Sequence, residues 1–287
     1  MKSLAHYAER IRTKGIVSAL SGKYRHAVVA LMLNNRLAAR TIDGIGRAVE
    51  LTGNTIKIRG SRFSVESPLI SARHKGMIYL GLYENAELDL SARYLDRLLP
   101  TIEIGGAIGA VACATSRLLK NPAKHVVVEA NPLLLPILTN NRDRNRRPFA
   151  IEHAAIGYNG ETVAFSNGGD FVAGRIIIGG KNTVTVPCTT LTRLIDKYRF
   201  AQINLVCDCE GAEIDIVLHE PELLKARVRT IIMETHRNFR GNHAVEELLS
   251  RLSSLGFKQP EPPRNEVYAF INYTLSGGAQ SDRTIII

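Results

Sequence analysis

From Thr101 onward the chain alternates short apolar runs with stretches of helical period, and the first run ends in a glycine turn, Glu103-Ile-Gly-Gly-Ala-Ile-Gly109. Such alternation commits a chain to βαβ units and a parallel sheet, because parallel neighbours need a long crossover between them. The pattern predicts strands at 101–104, 124–129, 149–155, 202–208 and 228–234, and helices at 107–120, 132–145, 190–199, 211–218 and 243–255. Residues 156–187 break the alternation with expected hairpins, and Gly256-Phe-Lys258 with Glu266–Tyr273 is expected to close the sheet as an antiparallel pair. The fold class is therefore α/β, with a seven-stranded, mostly parallel Rossmann-like sheet and a closing antiparallel hairpin.

The first third reads differently. Residues 1–100 hold 16 Lys and Arg against 8 Asp and Glu, whereas the rest holds 21 against 19, so most of the net charge of +10 sits at one end. Residues 2–20 read as a basic amphipathic helix, and Thr55–Val65 as a hairpin turning at Gly60-Ser61. Asn85 is the expected N-cap of a helix that Pro100 stops, which divides the chain into a basic extension, 1–85, and an α/β domain, 86–287. A basic extension suits an anionic membrane surface or a phosphate-bearing substrate, and equally a solubilising face. No apolar run approaches the roughly 20 residues of a membrane helix, and the start lacks a signal-peptide core. The expected location is cytoplasmic, with peripheral membrane contact through the extension as an option. Four cysteines without a Cys-x-x-Cys pair suggest buried thiols and no disulfide framework.

Gly105 and Gly109 let backbone approach a ligand where strand turns into helix. Glu129, twenty residues beyond Gly109, ends an apolar strand where a carboxylate can accept hydrogen bonds from both ribose hydroxyls. A dinucleotide fingerprint ending at Gly109 would need glycine at Ile104, and Glu103 suits a cationic cofactor better than a pyrophosphate. An adenosyl ligand bearing a sulfonium and an ammonium fits both. Asp208 and Glu210 follow the strand 202–208 and fall at the carboxyl edge of the sheet, where ligands of open α/β sheets bind.

Taken in order, Glu103–Gly109, Val128-Glu-Ala-Asn-Pro132, Leu138 with Asn141 and Asn145, Ala155-Ile-Gly157, Thr190-Leu-Thr-Arg-Leu194, Asp208-Cys-Glu-Gly-Ala-Glu213 and Met233-Glu-Thr-His236 resemble the FkbM family of methyltransferases over about residues 98–260. The resemblance implies a class I methyltransferase sheet and S-adenosylmethionine as cofactor. It also implies O-methylation of a sugar, glycan or natural-product hydroxyl. It implies that Glu103, Gly105, Gly106 and Gly109 hold the methionine end, that Glu129, Ala130 and Asn131 serve the ribose, and that Ala155 lies on the adenine side, with Asp208 near the donor's amino group or methyl carbon. The chain departs from the family pattern at Glu103, where Asp is usual, at Ala107, where Asn is common, and at Thr192, where an acid follows Thr-Leu.

In-line methyl transfer depends first on holding oxygen and methyl in line. A base for the hydroxyl proton would add to this, and His236, Glu210 and Glu234 are the catalytic candidates. Glu213 reads as a helix-dipole acid. A metal held by Asp208, Glu210 and Glu234 is an alternative that spacing does not establish, and none is assigned. Pro187-Cys188 as a cytosine-type nucleophile is disfavoured, since it precedes a helix instead of following the fourth strand. The competing function is an RNA methyltransferase or nucleic-acid-binding protein using the basic extension and Arg142–Arg147. Nucleic acid is the weaker reading, because no aromatics interleave those charges.

Overall fold

The computed structural model describes residues 36–166, 175–176 and 183–275. The amphipathic helix expected at 2–20 lies outside them. The extension contributes α1 (Arg36–Leu51), the hairpin β1 (Thr55–Ile58) and β2 (Ser61–Ser64), and α2 (Ala72–Tyr79). The α/β body follows with α3 (Asn85–Tyr94), β3 (Thr101–Ile104), α4 (Ala110–Leu118), β4 (His125–Glu129), α5 (Leu135–Arg144) and β5 (Ala150–His153). Next come β6 (Ala155–Ile156), β7 (Thr162–Ser166), β8 (Arg175–Ile176), β9 (Thr183–Thr189), α6 (Leu191–Tyr198), β10 (Ile203–Cys207), α7 (Ala212–His219) and α8 (Pro221–Arg227). The chain closes with β11 (Val228–Glu234), α9 (Arg237–Ser254), β12 (Phe257–Lys258) and β13 (Val267–Asn272).

Seven strands form the main sheet in the order β12-β13-β11-β10-β3-β4-β5. Strands β10, β11, β3, β4 and β5 are parallel, and β13 runs antiparallel to both β11 and β12. Central strands covered by helices on both faces are buried along their whole length and largely apolar. Accordingly, all residues of β3, β4 and β10 are buried. The order reverses between β3 and β10, which opens a crevice beyond their carboxyl ends. The hairpins expected within 156–187 form a second sheet, β6-β9-β7-β8.

Several element ends differ from expectation. The helix expected to run to Leu99 ends at Tyr94, because the buried amide of Asn204 accepts from Asp96 N–H at 3.1 Å and donates to Asp96 C=O at 2.8 Å. Its N-cap is Glu84, in the left-handed region at φ 52°, and not Asn85. The helix expected from Ala107 starts at Ala110, since residues 105–109 are spent in the turn, and the helix expected from His243 starts at Arg237 and kinks at Gly241 (φ 82°).

The extension shares a core with the sheet. Ile56, Phe63, Val65, Ile70 and Ile78 pack in one buried cluster with Ile108, Val127, Leu138 and Phe149. Asn141 fixes the hairpin, accepting from Ser64 N–H (2.7 Å) and donating to the carbonyls of Ser64 (3.0 Å) and Ile108 (2.9 Å). Asn145 repeats the arrangement with both backbone groups of Arg62. Among the described residues no helix is long and apolar enough to cross a membrane.

Candidate active site

The glycine turn is bound to the sheet at its first step. Gly105 and Gly106 both donate N–H to the Val128 carbonyl, at 3.0 and 3.1 Å. Gly105 has φ 96°, and a Cβ there would stand 1.7 Å from the Asp208 carbonyl oxygen, so any side chain would force β3 and β10 apart. Two residues on, Ala107 sits at φ 42° and donates its N–H to Glu129 Oε2 at 2.7 Å. The left-handed region costs an ordinary side chain roughly 1–2 kcal/mol, and Asn less. That accounts for Asn being common at this position in the family pattern. The missing acid at Thr192 is supplied from elsewhere in the chain: Glu220 accepts the N–H groups of Leu191 (2.9 Å) and Thr192 (2.7 Å) at the start of α6.

Glu129 closes β4 with 6% exposure. Its Oε1 accepts from Asn131 N–H at 2.6 Å, while burial pushes the carboxyl up to about 7 against the pull of those two backbone donors. Asn131 is buried, its Oδ1 accepting from Leu133 N–H, and its Nδ2 has no partner. An orphaned amide donor beside a carboxylate is suited to hydroxyls that both donate and accept. Glu129, Ala130, Asn131, Leu134, Ala155 and Phe165 line one end of a cavity of about 390 Å³.

Acids crowd the other end. Asp208 leaves β10 with its N–H on the Ile104 carbonyl at 2.9 Å. His236, just past β11, lies between carboxylates: its Nδ1 is 3.2 Å from Glu213 Oε1, and its Nε2 is 3.2 Å from Asp208 and 3.6 Å from Glu210. Burial alone would depress the imidazole, but Asp208 and Glu213 outweigh it and raise His236 to about 11. At neutral pH His236 is thus an imidazolium, with no lone pair to take a proton, which counts against it as the base. Glu213 is fully buried and held below its usual value, since its bonds to His236 and to the Gly211 N–H (2.8 Å) outweigh desolvation. Burial lifts Glu210 to about 7, and burial with Asp208 and Glu84 lifts Glu234 to about 9.

The structure brings Gly105, Glu129, Ala130, Asn131, Ala155, Asp208, Glu210, Glu234 and His236 to one cavity. It does not bring Glu103, Gly106 or Gly109 to its lining. Glu103 is 2% exposed and stands 3.3 Å from His125 Nε2, in the same register row as Val127 and Val206. Its near neighbour is thus a histidine of β4 inside the sheet. Gly106 is packed on Val127 and Leu138, and Gly109 caps α4. Cys188 is likewise away from the cavity, against Gly157. The residues sequence reasoning missed come from the extension and its border: Tyr83, Glu84 and Glu87 line the acidic end, with His74 and Met77 of α2 beside them. A Tyr-Glu pair before a short helix carried no signal without knowing that α3 crosses this edge.

The crevice at the strand reversal thus holds the buried carboxylate of Glu129 together with Asp208, Glu210 and Glu234. The model of the methyltransferase FkbM domain matches residues 103–258, more than half of the chain. The chain belongs to the FkbM methyltransferase family. No curated protein sequence matches this FkbM methyltransferase. Solved structures it resembles include magnesium protoporphyrin IX methyltransferase from Synechocystis PCC 6803, at 9% identity and TM-score 0.39 over 69% of this chain and 83% of that one. Another is fibrillarin from Aeropyrum pernix with natively bound S-adenosyl-L-methionine, at 14% identity and TM-score 0.37 over 65% and 74%. Likenesses this distant bear on neither the donor nor the acceptor of the FkbM enzyme.

Proposed function

We propose that this FkbM methyltransferase takes its methyl group from S-adenosylmethionine and delivers it to a hydroxyl of a sugar, glycan or related natural product. The observation that carries the reading is the single cavity in which Gly105, Glu129, Asn131 and Asp208 converge, with carboxylates at its far end. Glu129 and the free Nδ2 of Asn131 fit a ribose, and Ala155, Ile156 and Phe165 offer an apolar wall to an adenine. Gly105 and Asp208 are left for a methionine end, where an acid offsets positive charge. When bound, the cofactor supplies a methyl already activated by a sulfonium, so the protein's work is alignment and proton removal.

Glu210 is the base we favour. It lies in the cavity, is part-exposed, and its value near 7 matches the pH at which a base is most effective. His236, charged and fixed by Glu213, orients Asp208 and Glu210. Without a bound cation Glu234 keeps its proton at neutral pH and can donate to an acceptor hydroxyl. Neither Lys nor Arg is among the described residues lining the cavity, so phosphate would find no counter-charge there, which favours a neutral polyol over RNA. The test is to offer methyl-labelled S-adenosylmethionine with a panel of oligosaccharides and polyhydroxylated metabolites, and RNA in parallel. Alkali-stable label in a carbohydrate ether is expected; label in RNA alone would overturn the acceptor class.

A further inference from the structure

The acidic end of the cavity has a second use. Glu84, Glu87, Asp208 and Glu234 each present one carboxylate oxygen, and those oxygens lie within 4.8 Å of one another. They come from three separate parts of the chain, the N-terminus of α3, the end of β10 and the end of β11, so their meeting is a product of the fold. Glu87 is 1% exposed, lines the cavity, and its Oε1 has no hydrogen-bond partner. A buried carboxylate oxygen left bare is costly unless a ligand completes it. Asp208 Oδ1, by contrast, is held by His236 Nε2 at 3.2 Å. His236 provides positive charge on the Glu210 side of Asp208, but among the described residues no Lys or Arg lines the cavity.

We propose that Glu84, Glu87, Asp208 and Glu234 form a binding site for a divalent cation of the Mg²⁺ or Mn²⁺ type. An all-oxygen carboxylate set selects hard cations. Ligand oxygens about 2.0–2.6 Å from a common centre lie up to about 4–5 Å apart, which is the spread seen here. An ammonium group would cancel only one of the charges this cluster can carry, whereas a divalent ion cancels two. The set differs from the one spacing alone suggested: the fold turns Glu210 to His236 and brings in Glu84 and Glu87. An ion here would face the acceptor and acidify its hydroxyl. That use rests on the methyl-transfer reading, whereas occupancy of the site does not.

The experiment is calorimetric titration of the full chain with MnCl₂ without any donor, paired with Mn²⁺ paramagnetic resonance, on wild type, Glu87→Gln, Glu234→Gln and the exposed control Glu222→Gln. One ion per chain is expected, weakened at least tenfold in Glu87→Gln and Glu234→Gln and unchanged in Glu222→Gln. Thermal melting keeps the test sharp: each cluster variant should melt higher than wild type without metal, through loss of a buried acid, and lose the rise that Mn²⁺ gives wild type. Absence of Mn²⁺ binding at millimolar concentration, or equal binding in all four proteins, would overturn the site. Titration with S-adenosylhomocysteine on the same samples separates the two readings. Donor-product binding without metal binding sinks the ion alone, and the reverse sinks the donor assignment alone.

Discussion

The carboxylate of Glu213 accepts the backbone N–H of His236 at 3.1 Å and stands 3.2 Å from the ring Nδ1 of the same residue. One fully buried acid thereby fixes both the position and the charge of a histidine 23 residues away in sequence. Replacing it as Glu213→Gln should lower the His236 pKa, read from ring-proton chemical shifts, by more than one unit. Loss of a buried pair typically costs about 3–5 kcal/mol, so a marked fall in melting temperature is also expected. An unmoved titration would mean that Asp208 alone charges the ring.

The sign of the His236 shift sets its effect on stability. Its folded value is raised above 6.5, so its contribution is complete below that pH and disappears as pH rises through about 11. The raised acids act in the same sense. Glu129 and Glu210 near 7 and Glu234 near 9 bind protons more tightly folded than unfolded, so stability should fall as pH climbs from about 4.5 through 9. Denaturant midpoints of the metal-free, donor-free protein, measured across that range, should decline steadily, and the decline should be shallower in Glu234→Gln.

Glu129→Ala removes the acceptor of the Ala107 and Asn131 N–H groups. Each stranded donor costs about 1–3 kcal/mol. Calorimetry should show at least a tenfold weaker affinity for S-adenosylhomocysteine, with a lower melting temperature. Wild-type affinity in this variant would remove Glu129 from the cofactor site.

Ala107 holds a left-handed conformation at φ 42°. Ala107→Asn and Ala107→Gly should each raise stability by up to about 1 kcal/mol, and Ala107→Val should lower it. Urea midpoints of the three variants provide the check.

If Glu210 removes the acceptor proton, Glu210→Gln should reduce kcat by about 10²–10⁴-fold and abolish the limb of the pH–rate profile near neutrality. The same profile surviving in Glu210→Gln would transfer the role to another group.

Much of this fold is legible because buried parallel strands are largely apolar, as in Val126-Val-Val128 and Ile203-Asn-Leu-Val-Cys207, where Asn204 alone is polar. The element ends were less legible, since they depend on partners far away in sequence, as Tyr94 ends α3 where Asn204 takes hold of Asp96. The carboxyl-edge rule found Asp208, Glu210, Glu234 and His236. Glu213 was read as a dipole acid because its true partner lies beyond the next strand. The motif points Glu103 to the ligand, whereas its burial beside His125 depends on a register that only the folded sheet shows. Glu84 and Glu87 were hidden by dividing the chain at residue 85, through the middle of the site.

Asn141, by joining the hairpin to the carbonyl of Ile108, makes the enzyme less modular than its sequence looks. A designer who trimmed the chain to its family-matching segment would strip cover from Leu138 and Phe149 and lose the wall that carries Glu84. The cavity wall is therefore open to change by substitution within the extension, but not by deleting or exchanging it as a cassette.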